Sequence, residues 1–353
     1  MDESYGKRCG MRTFRFASAP VISGAGSIAG VREGLGPQYR WFDRILTDDM
    51  YGEKSFEKAE SGMLRDSIRL AIEDAGLKRQ SVDVILSGDL LNQLMSSSFM
   101  ARDLGIPYLG IYGACATMTQ AMLMAGVMVD GGYCSNAAAA ASSHFASAER
   151  QFRMPLEHGN QRPPQAQWTA TAAGAVIISD GALSGARRCR ITAGTIGRVI
   201  DPAVTDTNFM GAAMAPAAFD TIMVHLKDLG RKASDYDMIL TGDLGKAGKK
   251  ILLDLADRKS KGGSEKDSVF SGFSRVYEDC GAIMYDDSQD SCSGASGCGC
   301  SASIFAGRVF KEMNSGKYSR VMLVSTGALL STISSQQGET IPGIAHAVTL
   351  EVF

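Results

Sequence analysis

Cys115 is the residue whose setting most favours chemistry. Tyr108–Tyr112 reads as a short apolar strand, Gly113-Ala114 permits a tight turn, and small and apolar residues follow as in a buried helix. A thiol so placed lies at a helix N-terminus, where unpaired N–H groups and the helix dipole favour the thiolate. The same pattern suits a buried cysteine packed as a small hydrophobe, and the local sequence leaves both readings open.

A second group follows the strand expected over Ala137–Ser143. His144 ends that strand at its rim, and Glu149-Arg150-Gln151-Phe152-Arg153 supplies two guanidinium groups, an amide and an aromatic ring. Arginine's planar fork matches both oxygens of a carboxylate, so the run suits a dianionic ligand; it equally suits a solvated charged loop. Asp89 and Asn92 follow an earlier strand and face the same end of the sheet as the Cys115 turn. Asp89 would repel a carboxylate, but it could hold Ca²⁺ carried by the ligand. It could equally cap backbone N–H groups in a turn, since Asp243 repeats it. His225 is in helical phase with Ile222, Leu226 and Leu229 and reads as a packing residue.

Other chemistries find little support. Cys298-Gly299-Cys300 lacks a second cysteine pair or a well-spaced histidine for zinc, and His144, His158, His225 and His346 are far apart. Gly24-Ala25-Gly26-Ser27-Ile28-Ala29-Gly30 misses the dinucleotide spacing by one residue, so no cofactor is expected. With 36 basic and 38 acidic residues and no concentrated positive face, nucleic acid is set aside. No signal peptide is expected, and the uncharged window Leu104–Val129 is punctuated by Gly and Pro rather than continuous as in a bilayer span. Eight irregularly spaced cysteines suggest reduced thiols.

The elements that position these residues come from an internal duplication. Residues 71–90 and 225–244 are identical at nine of 20 positions, including Asp74/Asp228, Gly76/Gly230 and Gly88-Asp89-Leu90/Gly242-Asp243-Leu244. Gly113–Thr117 and Gly297–Ser301 form a second pair of small-residue turns leading into apolar helices. The change in offset between the two pairs places about 30 extra residues around 245–290, where a charged run suggests an exposed loop. The order strand–helix–strand–turn–helix–strand, run twice, predicts an α/β protein of two similar halves, 12–190 and 191–353, with a site at their junction.

The segments GACATMTQAM and GAVIISDG (174–181) resemble the thiolase and ketoacyl synthase superfamily. That resemblance implies a duplicated five-layer α/β/α/β/α sandwich about a pseudo-twofold axis. More narrowly, SGDLLNQ (87–93), SSHFASAERQFRMP (142–155), GAAMAPAA (211–218), TGDL (241–244) and STGALLS (325–331) resemble the stage V sporulation protein AD family of spore-forming bacteria. This implies binding of dipicolinic acid, as such or as its calcium chelate, and support of its movement into the forespore beside other stage V membrane proteins. The superfamily's catalytic His and Asn would fall at Thr241-Gly242-Asp243 and Gly297-Cys298-Gly299, so the resemblance implies a pseudoenzyme in which Cys115 keeps only the nucleophile's position. His346, in Gly343-Ile344-Ala345-His346, resembles part of the oxyanion-hole loop; it would either face Cys115 or be a strand histidine satisfied by backbone. An acyl-transferring enzyme using Cys115 and a purely structural subunit are the rival readings. The resemblance also implies a homodimer, formed through the alanine-rich strand Ala137–Ser143. A ligand pocket would draw on Cys115, Asp89, Asn92, His144, Arg150, Gln151, Arg153 and His346.

Overall fold

The structure, a computed structural model, describes residues 7–152, 162–180, 188–261 and 268–353. The first half runs β1 (Val21–Ala29), α1 (Phe56–Asp74), β2 (Val84–Gly88), α2 (Met95–Leu104), β3 (Tyr108–Gly110), α3 (Thr117–Asp130), β4 (Asn136–Ser143), α4 (Phe145–Phe152) and β5 (Ala172–Ser179). The second half runs β6 (Cys189–Thr195), α5 (Met210–Leu229), β7 (Met238–Thr241), α6 (Gly245–Lys261), β8 (Tyr277–Asp279), α7 (Cys298–Ile304), β9 (Arg320–Ala328) and β10 (Gly343–Val352).

Each half builds one sheet, and the two sheets have the same order: β3-β2-β4-β5-β1 and β8-β7-β9-β10-β6. The hydrogen-bonding senses match too. β2 is parallel to β3 and β4, and β5 is antiparallel to β4 and β1. β7 is parallel to β8 and β9, and β10 is antiparallel to β9 and β6. The sheets join where Val21 of β1 pairs with Arg190 of β6, so the line between 190 and 191 falls inside β6. The glycine-rich run 24–30 lies almost wholly within β1.

Strand residues alternate between two cores, as a pleated sheet requires. Leu86, Ala139, Val176, Leu323 and Val348 point inward to Met118 and Met122 of α3 and Cys298 and Ile304 of α7. On the outer face of the first sheet, Ile85, Ala138 and Ile177 meet Leu64 and Ile68 of α1 and Met100 and Leu104 of α2. On the second, Ile239, Met322 and Val324 meet Ile222 of α5 and Leu252 of α6. The result is the expected α/β/α/β/α sandwich with α3 and α7 enclosed at its centre. Each fully buried Leu, Ile or Met contributes roughly 1.5–3 kcal/mol, so the enclosed layer is what holds the halves together.

Two expectations are corrected. The stretch 245–290 is not one exposed loop: α6 occupies its start, and its Gly248 packs on Gly211 of α5, where added side-chain carbon would meet Gly211 at 2.9 Å. Strand β8 and a short helix, Cys280–Met284, follow, and the end of the charged run (262–267) lies outside the described residues. The alanine-rich strand β4 cannot form a dimer edge, because β2 and β5 pair with its two sides and Ala137–Ala141 are fully buried. The free edge of the first sheet is β3, whose Leu109 is 47% exposed.

Candidate functional site

The site forms where the C-terminal ends of β2, β3 and β9 approach the two turns that lead into α3 and α7. Ala114 has a left-handed backbone (φ 49°), a conformation that costs about 1–3 kcal/mol in a non-glycine residue and lifts the next side chain out of the turn. Gly327 at the end of β9 makes the close approach possible, since a side-chain carbon there would lie 2.4 Å from the Gly113 carbonyl oxygen. Cys115 is thereby held against the second half while remaining 8% exposed.

Its neighbour there is Asp243. The buried carboxylate accepts the Gly297 amide at 2.9 Å (Oδ2) and the Thr326 hydroxyl at 2.7 Å (Oδ1). Burial raises its pKa to about 7, with the Thr326 and Gly297 donors opposing the rise and the nearby Asp279 adding to it. Burial also pushes the Cys115 thiol well above its ordinary value, and the Asp243 charge pushes it further. A helix N-terminus alone would favour a thiolate; here desolvation and an adjacent carboxylate outweigh it.

Cys115 opens onto a narrow cleft of about 70 Å³, lined in the first half by Leu90, Asn92, Tyr112, Ala114 and Gln151. Met210, Ser296, Gly297, Ala328, Leu330 and Ser331 line it from the second half. A water molecule takes about 30 Å³ of liquid volume, so a ring-sized ligand needs side chains at the mouth to turn aside. Two polar atoms in the lining have no hydrogen-bond partner: the Ser296 hydroxyl, in a residue only 1% exposed, and the Gln151 carbonyl oxygen. Among the described residues, none lining the cleft is a lysine or arginine.

Of the residues singled out in the sequence, the structure gathers Cys115, Asn92 and Gln151 at this cleft. Asp89 is absent from it. Its carboxylate accepts the Leu91 amide (2.8 Å) and the amide and hydroxyl of Ser97 (2.7 and 2.6 Å), which is the capping role. His144 is a satisfied core residue: Nε2 bonds the Asp49 carbonyl at 2.8 Å, Nδ1 accepts the Ala146 amide, and burial lowers its pKa. Arg150 turns outward to an ion pair with Glu57. Arg153 lies outside the described residues. His346 shares the inner face of β10 with Val348 and Leu350, but its Nδ1 accepts the Gly197 amide at 3.2 Å, and burial lowers its pKa to about 4. His346 is thus tied to the backbone of its own half. His225 is buried between the Thr195 and Thr349 hydroxyls, as a packing residue should be. All eight cysteines are free, and among the described residues no group of three or more His, Cys, Asp or Glu could hold a metal ion.

Asp243, behind the cleft, and Ser296, in its lining, are among the residues missing from the sequence-based pocket. Asp243 carried a signal, because it repeats Asp89 in the second copy of the duplication. Ser296 carried none.

The fold is that of thiolase-like condensing enzymes. 3-Oxoacyl-[acyl-carrier-protein] synthase III from Aquifex aeolicus superposes with a TM-score of 0.56 at 11% identity, over 94% of this chain and 99% of that one. Xanthomonas campestris OleA superposes with a TM-score of 0.58 at 14% identity, over 95% and 99%. Within that fold class the relationship is specific. The model of the stage V sporulation protein AD family matches residues 10–351, and the stage V sporulation protein AD of Bacillus subtilis is 42% identical over 345 residues, 98% of each chain. The chain belongs to the stage V sporulation protein AD family, and so has a role in sporulation. No helix among the described residues is long and apolar enough to cross a membrane.

Proposed function

We propose that this chain is a non-catalytic binding protein that holds dipicolinic acid as its calcium chelate in the cleft beside Cys115, and supports its uptake into the forespore at the inner membrane. The observation that carries the non-catalytic part is the Cys115–Asp243 pair. Condensation needs a thiolate and donors that stabilise negative charge on the thioester oxygen. An acidic group at 243 opposes both. This favours a holding role over acyl transfer by Cys115 and His346, whose ring is engaged by Gly197.

The charge of the lining favours the chelate over the free acid. A dianion entering a cleft with no described cation and a buried carboxyl behind it would be unpaired, at a cost of several kcal/mol. The one-to-one calcium chelate is neutral. Amide and hydroxyl groups such as Asn92, Gln151, Ser296 and Ser331 suit it, and Leu90, Met210 and Leu330 suit the flat ring. The chain would act beside other stage V membrane proteins and pair with a second copy along the free edge of β3, where Leu109 and Tyr112 are about half exposed.

Calorimetric titration with dipicolinic acid, with and without calcium and with pyridine-2-carboxylic acid as the control, tests the reading. Saturable heat that requires calcium and both carboxylates supports it. Equal binding without calcium refutes the chelate, and no heat in either condition refutes the holding role and leaves a structural subunit.

A further inference from the structure

The two unpartnered polar atoms of the cleft are carried by elements that are tied to each other. Ser296 lies in the short strand Ala295–Ser296, which pairs in parallel with Trp168–Thr169. Its carbonyl accepts the Ala170 amide at 2.9 Å, so its backbone is fixed while its buried hydroxyl stays unpartnered. Thr169, opposite Ser296 in that register, donates its hydroxyl to Glu149 of α4 at 2.9 Å. Gln151 stands two residues further along α4. Where Arg150 turns outward to Glu57, Gln151 turns to the cleft, and its carbonyl oxygen is buried without a donor. The other hydroxyl and amide of the lining are placed differently. Ser331 accepts the Ser334 amide at 3.1 Å and caps its own helix, and Asn92 is exposed.

We propose that the Gln151 carbonyl oxygen and the Ser296 hydroxyl oxygen complete the coordination shell of the cation that a planar dicarboxylate carries into the cleft. This inference rests on the calcium dipicolinate reading and assigns the atoms that recognise its metal. A carbonyl oxygen only accepts, so its partner must be a hydrogen-bond donor or a cation. Dipicolinate itself offers neither: once ionised, its ring nitrogen and its carboxylate oxygens are all acceptors. As the bare dianion it would set acceptor against acceptor at Gln151. In the chelate the electron-poor atom is the metal. Calcium takes about six to eight oxygen ligands, and a tridentate dipicolinate leaves several of those positions to water. At each protein contact one metal–oxygen bond forms and one metal-bound water leaves for solvent.

The charge of these ligands matters as much as their position. An amide carbonyl is an ordinary calcium ligand, and a hydroxyl oxygen stands in for the water it displaces. Both are neutral, so the chelate stays uncharged where it is buried, and two orphaned oxygens gain a partner in the same step. Asp89, the acid that the sequence offered for the metal, is occupied by Leu91 and Ser97 and is absent from the lining. The cleft therefore recognises the dicarboxylate through its metal. Without the metal, Gln151 keeps a buried oxygen that the ligand cannot satisfy.

The test replaces calcium by terbium, a hard oxygen-binding ion of similar size, in a one-to-one chelate with dipicolinate, whose ring sensitises terbium luminescence. Decay times in light and heavy water count the water molecules on the metal, and ultrafiltration with excess full-length chain measures how much chelate is retained. On the wild type the retained chelate should carry about two fewer waters than the free chelate. Gln151→Leu and Ser296→Ala should each restore about one water and weaken retention by about tenfold. Gln151→Glu, which keeps a carboxyl oxygen at that place, should keep the lower count. The terbium chelate carries one positive charge, and the comparison among variants cancels its effect. Retention by the wild type with the free chelate's water count overturns the assignment while leaving the holding role standing, and this result needs no variant to fold. A count that stays low in Gln151→Leu or in Ser296→Ala overturns it too, as contact with surface carboxylates would produce. No retention by the wild type overturns both the assignment and the holding role.

Discussion

Asp89 and Asp243 hold the same place in the two copies of the repeat, one residue beyond the strand-ending glycine, yet they do different work. Asp89 turns back on its own half: it caps the start of α2 through the Ser97 amide and hydroxyl and closes the turn through Leu91. Asp243 bonds the Gly297 amide and the Thr326 hydroxyl within its own half, and its charge acts across the interface on Cys115. The second half can spare it because Asp279, at the end of β8, has taken over the local capping. Asp279 accepts the Leu244 and Gly245 amides at the entrance to α6 and the Ala282 amide beyond it. Duplication supplied two equivalent acids, and a third acid freed one of them to shape the cleft.

The comparison can be broken most severely at Asp89. Asp89→Ala leaves two buried amides and a hydroxyl without their acceptor, and the expected loss is about 2–4 kcal/mol in denaturant unfolding. Asp243→Asn should lose far less, because the amide can still accept from Gly297. Equal losses at the two positions would mean that the acids are not divided between capping and site.

pH gives the next largest effect. Asp243 titrates near 7 in the folded chain and Asp279 near 6, both raised by burial, whereas an unfolded aspartate titrates near 4. Between about pH 4 and about pH 7 the folded state keeps protons that the unfolded state has lost. Stability from these groups is therefore full below about pH 4 and is lost as pH rises through 6 to 7. Glu33, raised to about 7 by burial, adds to the trend. Melting temperature should fall between about pH 4 and about pH 7, and Asp243→Asn should flatten that fall. A wild-type melting curve independent of pH over this range would contradict the assignment.

A smaller loss is expected at the turn itself. Gly327→Ala drives a carbon into the Gly113 carbonyl and should cost about 1–3 kcal/mol while disturbing the cleft. The corresponding edge test is Leu109→Lys on β3, which should shift a dimer to monomer in sedimentation and leave the melting temperature nearly unchanged. A dimer that survives Leu109→Lys would place the contact elsewhere.

The architecture was legible because a duplication repeats the buried pattern: the Gly76/Gly230 helix ends and the Gly88/Gly242 strand ends returned where the sequence put them. α6 was hidden because its apolar stripe is narrow, with Leu252 and Ala256 buried among lysines that stay exposed, so charge masked the helical period. The alanines of β4 suggested close approach correctly but to the wrong neighbours: they admit helices and strands of the same chain, not a second copy. The site was half legible. Cys115, Asn92 and Gln151 converge, but His144 and Arg150 find partners in Asp49 and Glu57, contacts that bring together residues nearly a hundred positions apart. Ser296 could not be found at all, since an unpartnered hydroxyl is a property of packing rather than of sequence.

The most direct test of the holding role targets that hydroxyl. Calcium dipicolinate is titrated into the wild type, Cys115→Ser and Ser296→Leu, with melting curves confirming that each is folded. Saturable binding should appear in the wild type, persist in Cys115→Ser because no thiol chemistry is required, and vanish in Ser296→Leu because the leucine fills the cleft. Undiminished binding by Ser296→Leu, or none by the wild type, would contradict the account.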